Sequence, residues 1–313
     1  MEFPAELRNE INNLLENENI TELAKTVSRL SENYRSEQKS GKISAKSRAD
    51  ILAYAAVRMP ATFGAVSRAL ELSLECCGCE IGSVLDVGAG TGAGAIAASI
   101  ITECDNIICL EKEPEMSELG KHFANVMGIS AEYILRDIND GISEKADLVI
   151  CSYCLNELPE NRRKSVVENL MRAAKKLLVI VEPGTPYSFN EMKAIRSQLV
   201  SRGMKIAAPC PQSGECPIVG DDWCHFSVRV PRSRLHKQLK GGEVPYEDEK
   251  FCFIAAAHGD TFPCSRRILR KPFIESGRVT LTLCSEAGIS TELITRKNDL
   301  FKTARKADTG DKI

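Results

Sequence analysis

The run Val84-Leu-Asp-Val-Gly-Ala-Gly-Thr-Gly92 constrains this chain more than any other stretch. Val84 and Leu85 end an apolar strand, and Gly88, Gly90 and Gly92 follow at every second position. Ala93 to Ile101 then reads as a helix of small apolar residues. Glycine lets the backbone turn sharply, and it lets a ligand lie against main-chain N–H groups with no Cβ between. A glycine turn alone is a weak signal, because ligandless turns use glycine too. Here the strand, the turn and the helix stand together, with a carboxylate, Asp86, two residues before the first glycine.

The segments that follow repeat the alternation. Asn106-Ile-Ile-Cys-Leu-Glu111 is a second apolar run ending in an acid. It lies about 20 residues past the glycines, where nucleotide-binding α/β folds place a ribose-binding carboxylate. Ala131–Asp137, Ala146–Ser152 and Leu177–Glu182 read as three more strands, each followed by a helical stretch. Such a pattern predicts an α/β fold whose strands are buried on both faces. A dinucleotide site is the lesser reading, since an acid at the position of Asp86 is unusual in NAD-binding turns. The glycine segment closely resembles the first motif of class I S-adenosylmethionine-dependent methyltransferases. The resemblance implies that Rossmann-like fold, S-adenosylmethionine as cofactor, and a site using Asp86, Gly88, Gly90, Gly92 and Glu111. It also places Asp137 near the adenine end, although Asp137 equally suits a turn cap before Ile138-Asn-Asp-Gly141.

A chain of 313 residues with 43% hydrophobic content has room for a sizeable core and two domains. It contains no run of 18 or more apolar residues, so no membrane span is expected. The acidic start, Met1-Glu-Phe-Pro-Ala-Glu, lacks secretory or transit features. Thirteen cysteines in that context predict a reducing cytoplasm, with thiols that bind metal or fill cores. Leu7, Ile11, Leu14 and Leu15, then Leu23, Val27, Leu30 and Tyr34, recur at helical spacing. A polar loop over 35–46 and two further helices, Ser47–Arg58 and one opening at Pro60, complete a helical domain over 1–75. The expected division continues with a methyltransferase core over 76–206, a cysteine-rich insertion over 207–250, and 251–313. The last segment is expected to supply the closing strand pair and a basic tail, mobile after Arg305.

That insertion carries Cys210, Cys216 and Cys224 in a stretch rich in proline and glycine that also holds the only tryptophan, Trp223. Three thiols on a turn-rich loop can converge on one metal centre. Their spacing, five residues and then seven, is not the Cys-x-x-Cys knuckle of a zinc ribbon. Iron–sulfur clusters tolerate such spacing. With Phe251–Ala257 and Val279–Cys284 read as the antiparallel strands six and seven, Cys284 returns beside the loop and is the favoured fourth ligand. Cys252 remains the competitor. Cys264 is placed past the far end of strand six, roughly 20 Å away at about 3.3 Å per residue. His225 reads as a neighbour that supports a ligand. Cys76, Cys77 and Cys79 crowd a helix end, and Cys104, Cys109, Cys151 and Cys154 read as packed thiols.

The loop continues as Asp222-Trp-Cys-His-Phe-Ser227 and Arg229-Val-Pro-Arg-Ser-Arg-Leu-His236, with Glu247-Asp-Glu-Lys250 beyond. Ala53-Tyr-Ala-Ala-Val-Arg-Met-Pro-Ala-Thr62 stands upstream and Ala304-Arg-Lys-Ala-Asp308 downstream. Together these segments resemble the methyltransferase-like family of the mitochondrial small-ribosomal-subunit assembly factor and its bacterial homologues. The match runs from about residue 50 to the C-terminus, departing where Thr309 replaces an expected tryptophan. The resemblance implies a 4Fe–4S cluster on Cys210, Cys216, Cys224 and Cys284, with zinc as the alternative metal. It also implies association with small-subunit ribosomal RNA during assembly.

Charge adds to this. Val228–Lys240 holds Arg229, Arg232, Arg234, Lys237 and Lys240 with no acid, although the net charge is only −2. Arg266, Arg267, Arg270 and Lys271 form a second basic group, and Arg296, Lys297, Lys302, Arg305 and Lys306 a third. Local basic patches suit a phosphate backbone. Cys151-Ser-Tyr-Cys-Leu-Asn-Glu157, at the end of strand four, has neither Asn-Pro-Pro-Tyr nor Pro-Cys, so no catalytic residue is assigned. The expectation is an RNA-binding assembly factor, with a working methyltransferase of ribosomal RNA or protein as the alternative. Radical chemistry is disfavoured, because its Cys-x3-Cys-x2-Cys loop is missing.

Overall fold

Four helices open the chain: α1 (Ala5–Leu15), α2 (Ile20–Ser36), α3 (Arg48–Val57) and α4 (Met59–Cys77). The computed structural model describes residues 1–16, 18–36, 47–241 and 243–313, with backbone alone for 30–36. The loop expected over 35–46 therefore lies outside the described residues from 37 onward, and α2 runs through 35 and 36. α1 forms because Leu7, Ile11 and Leu15 fall on one buried stripe. α3 starts at a capping box, in which Ser47 and Asp50 each accept the other's backbone N–H.

An alternating segment follows: β1 (Val84–Val87), α5 (Ala93–Thr102), β2 (Ile107–Glu111), α6 (Pro114–Val126), β3 (Ala131–Leu135), β4 (Ala146–Ser152), α7 (Glu160–Ala173), β5 (Ala174–Pro183), α8 (Pro186–Ser201) and β6 (Lys205–Ala208). The remainder comprises β7 (Phe226–Pro231), α9 (Arg234–Lys240), β8 (Tyr246–Ala257), β9 (Arg266–Ile268), β10 (Phe273–Glu275), β11 (Arg278–Ser285), β12 (Gly288–Thr295) and α10 (Phe301–Ala304). Two compact units result: residues 1–68, 80–175 and 228–249, and residues 69–79, 176–227 and 250–313. These units cut across the boundary expected at 75 and divide the expected core at 175 and the expected insertion at 227, while the boundary expected at 250 nearly coincides with the one at 249.

In the first unit the strands run β3-β2-β1-β4, all parallel, with Leu85 of β1 flanked by Ile108 and Val149. Every residue of β1 is buried, which is why it reads as an apolar run rather than an alternation. In the second unit the order is β5-β8-β6, with β8 antiparallel to both neighbours. These two strand orders are those of the class I methyltransferase, Rossmann-like α/β fold.

One expectation is overturned here. Val279–Cys284 does not pair with Phe251–Ala257. β8 pairs with β6 instead, and β11 is central to a separate four-stranded sheet with β9, β10 and β12. β11 alternates buried Val279, Leu281 and Leu283 with half-buried threonines, the pattern of a one-sided antiparallel sheet. Its buried face packs with Ile268, Ile294 and Ala304. β6, Lys-Ile-Ala-Ala, was hidden because four residues rich in alanine give little strand signal. The tail after Arg305, expected to be mobile, is hydrogen-bonded to β9. Gly310 donates to Ile268 O at 2.8 Å, Ile268 to Asp311 O at 3.0 Å, and Lys312 bridges to Arg267. No helix among the described residues is long and apolar enough to cross a membrane.

Candidate functional site

In the first unit β1 delivers the chain into the glycine turn. Gly90 has φ 55°, and a Cβ built there would meet nothing within 4 Å. Gly92 has φ 84°, and its Cβ would collide with the Tyr133 hydroxyl. The turn therefore has an open side at Gly90 and a packed side at Gly92. A cavity of about 870 Å³ opens there, lined by Gly88, Gly90, Leu110, Glu111, Asp137, Ile138, Tyr54, Tyr153 and Cys154 among others. Cys154 thus faces a cavity instead of filling a core. Glu111, at the tip of β2, accepts from the N–H groups of Gly90 (2.7 Å), Lys112 (2.9 Å) and Glu113 (2.9 Å). Those three donors fix its carboxylate at the cavity rim.

Asp137 lines the same cavity while capping the turn that follows it, accepting from Asn139 N at 2.8 Å. Asp86 and Gly92 do not line it. Asp86 is fully buried and accepts from Ala95 N at 2.8 Å, tying β1 to the first turn of α5. Burial pushes its carboxyl up to about 7, and the Ala95 bond only partly opposes this.

At the end of β4, Tyr153 holds φ 55°, a left-handed conformation costing roughly 1–3 kcal/mol for such a residue. Its hydroxyl donates to Glu249 at 2.9 Å, and Arg58 grips the same carboxylate through two bonds of 3.1 and 3.2 Å. Burial pushes Tyr54 up to about 12, so its phenol stays protonated. None of these was singled out as functional from the sequence. Their signal was faint: Tyr54, Arg58 and Glu249 lie in segments noted there only for family resemblance.

A second cavity, of about 630 Å³, belongs to the second unit. Thr185 caps α8, whose Phe189, Met192, Lys193 and Arg196 share a face toward it. Cys210, Cys216 and Cys224 arrive on the loop, Cys252 on β8, and Cys284 near the end of β11. All four favoured thiols and the competitor thus wall one space. Burial pushes Cys224 well up, and the thiols of Cys210, Cys216, Cys252 and Cys284 add to the effect. Cys284 is pushed up to about 12 by burial, then by Cys210 and Cys216. Cys252 donates to Pro183 O at 3.4 Å, and after burial its main influence is Glu182.

Cys264 does not line the cavity, but the expected separation was wrong. The chain turns back into β9, which pairs with β11, and Cys264 raises the pKa of Cys284. Cys77 and Cys79 form a disulfide, so not every cysteine is a free thiol. His225 stacks on Trp223 at 5.1 Å, and Trp223 Nε1 donates to Gly184 O at 3.0 Å. Burial, then Arg270 and Lys250, lowers the pKa of His225. Among the described residues no group of three or more His, Cys, Asp or Glu is placed so that it could hold a metal ion.

The basic run is less free than its sequence implies. Arg229 pairs with Asp248 at 2.8 Å and lies over the Tyr246 ring. Arg232 (3.2 Å) and Lys240 (2.6 Å) both pair with Glu247. Burial would raise Glu247, but hydrogen bonds from His236 and Lys240 hold it well below the carboxylate range. The acids absent from the run are supplied by the start of β8. Among the described residues, Arg234 and Lys237 alone in the run have no such ion pair. In the second basic group Arg266 pairs with Glu292, Arg270 with Asp222, and Arg267 is buried, while Lys271 is exposed.

The family described as Mitochondrial small ribosomal subunit Rsm22 matches residues 48–313. The Rsm22-cox11 tandem proteins 1 and 2, mitochondrial, of Schizosaccharomyces pombe are each 22% identical over 324 residues, covering 83% of this chain. The chain spans 42% of the length of these curated relatives. Similar solved structures include magnesium protoporphyrin IX methyltransferase from Synechocystis PCC 6803 with bound SAM. It is 12% identical, with 83% of this chain and 100% of that one covered and a TM-score of 0.43. A putative RNA methyltransferase from Pyrococcus horikoshii is 11% identical, with 76% and 95% covered and a TM-score of 0.41. With the match at 48–313 extending over most of its length, the chain belongs to the family described as Mitochondrial small ribosomal subunit Rsm22.

Proposed function

We propose that this chain is an S-adenosylmethionine-binding, iron–sulfur, methyltransferase-like protein that serves small-ribosomal-subunit assembly or translation by contacting its RNA. The observation that carries the reading is the thiol-walled cavity, built from a loop, β8 and β11. In a cubane cluster the four thiolates bind separate irons and so stand around the cluster. A zinc ion needs four ligands at about 2.3 Å from one point. The loop spacing, which is not that of a zinc knuckle, favours the cluster. Cys210, Cys216, Cys224 and Cys284 would hold it, because Cys252 is engaged with Pro183 while Cys284 interacts with Cys210 and Cys216. Loading must displace protons from Cys210, Cys224 and Cys284, whose thiols burial pushes up.

The glycine cavity fits S-adenosylmethionine. The open side of Gly90 leaves room against main-chain N–H groups, and the fixed Glu111 carboxylate keeps lone pairs for ribose hydroxyls. A working methyltransferase is the second reading. Methyl transfer from a protonated nucleophile needs a base. At the end of β4, however, Tyr153 is bonded to Glu249, Glu249 to Arg58, and Tyr54 keeps its proton. Binding without turnover is favoured. Contact with RNA narrows to Arg234 and Lys237 within the basic run. The mitochondrial relatives make the compartment of that ribosome, rather than the cytoplasm, the place to look for the protein. Anaerobically purified protein should be brown, with about four irons per chain. Stoichiometric zinc without iron would contradict the cluster, and crosslinked RNA lacking small-subunit sequence would contradict the ribosomal role.

A further inference from the structure

Arg196 stands on α8, on the face turned to the cysteine cavity, and is only 5% exposed. A guanidinium that deep is costly unless an anion shares its surroundings. Its Nη2 donates to Gln212 O at 2.7 Å, but its Nε is buried without a partner. Its charge and a side-chain hydrogen bond act on Cys210. Arg267, 1% exposed on the same cavity, is different. Its Nε donates to Pro209 O (2.9 Å), Nη1 to Gly310 O (2.7 Å) and Nη2 to Cys76 Sγ (3.8 Å). Arg267 spends its donors on the walls, whereas Arg196 keeps one unspent. Two buried cations face this cavity, whose lining holds thiols and no carboxylate, although buried Glu182 acts on Cys252 from behind it. An anionic sulfur-rich group would add negative charge where the unspent Arg196 donor points.

Resting on the cluster reading above, we propose that Arg196 is the N–H donor and counter-charge for that group, and that it raises the group's reduction potential. If the cluster is bound, a one-electron reductant such as dithionite would give it one electron and be oxidised in turn, with no bond made and no proton required. The added negative charge is stabilised more by a cation and an N–H donor than the oxidised form is, so the reduced state gains.

Wild type, Arg196→Gln and Arg196→Lys are purified anaerobically, assayed for iron and sulfide, and titrated with dithionite, with the reduced fraction read by electron paramagnetic resonance. At the potential where wild type is half reduced, the reduced-to-oxidised ratio of Arg196→Gln should fall about tenfold, or 59 mV for one electron. Arg196→Lys keeps the charge but loses the planar donors, and should fall between. A loaded Arg196→Gln with the wild-type ratio overturns the inference. If the glutamine variant holds no iron, the lysine variant decides: a lowered ratio supports the role and a wild-type ratio overturns it. If both variants melt far below apo wild type, Arg196 merely packs, and the inference falls. Wild type without iron or sulfide would remove the cluster reading itself, a failure visible before any variant is made.

Discussion

The two cavities are built in opposite ways. The glycine cavity is centred on one continuous strand–turn–helix, and the Glu111 carboxylate from the tip of β2 is already held there by three backbone N–H groups. The cysteine cavity collects side chains from α8, a loop, β8 and β11, and it buries two cations among thiols. A site of the first kind is complete before its ligand arrives. A site of the second kind balances its charge only when an anion is present. The first should tolerate loss of its ligand, while the second should lose order with its metal.

The largest effect expected from that contrast is in the cysteine cavity. Replacing any one of Cys210, Cys216, Cys224 or Cys284 with serine should take iron from about four per chain to near zero. Cys252→Ser and Cys264→Ser should keep it. Iron analysis beside a thermal melt checks this, and a Cys252→Ser variant that empties while Cys284→Ser stays loaded would exchange their roles.

The glycine turn comes next. Gly90→Val should abolish S-adenosylmethionine binding, a loss of 100-fold or more by calorimetry on the order of 3 kcal/mol, because its side chain enters the open space. Gly92→Ala should instead destabilise the fold by a few kcal/mol, since it meets the Tyr133 hydroxyl at a positive φ. Equal loss of binding with no loss of stability in both variants would erase the distinction between the two sides of the turn.

For RNA, replacing Arg234 and Lys237 should make the log–log salt slope shallower by up to about 2. Replacing Arg229 and Arg232 should mainly lower stability, because their charges are matched by Asp248 and Glu247. Filter binding across a salt series separates the pairs.

Per unit of change, the smallest effect concerns pH. Burial raises the Asp86 carboxyl from 3.8 to about 7, so the folded state holds a proton that the unfolded state has released. Between those values this group's contribution to stability falls as pH rises, by at most about 1.4 kcal/mol per pH unit. Asp86→Asn should flatten that slope in denaturant melts at pH 5, 6 and 7.

How much was legible follows the same divide. β1 and its turn could be read directly, because strand, glycines and helix are contiguous and each leaves a local signature. The three loop cysteines were visible as a spacing, and Cys284 as a candidate. Arg196 was invisible, since an arginine on a helix carries no mark of being buried. β11 was placed in the wrong sheet because apolar alternation says that a strand has one buried face, not which partner covers it. The run from Arg229 to Lys240 misled for a related reason: its neutralising acids, Glu247 and Asp248, lie in β8 and meet it only through folding.

The central claim is that the thiol-walled cavity holds an iron–sulfur cluster and not a single ion. X-ray absorption at the iron and zinc edges of anaerobically purified wild type tests it most directly. The account predicts an iron edge with sulfur neighbours and a second shell of iron at short range. A zinc edge with sulfur ligands and no metal–metal shell would contradict it.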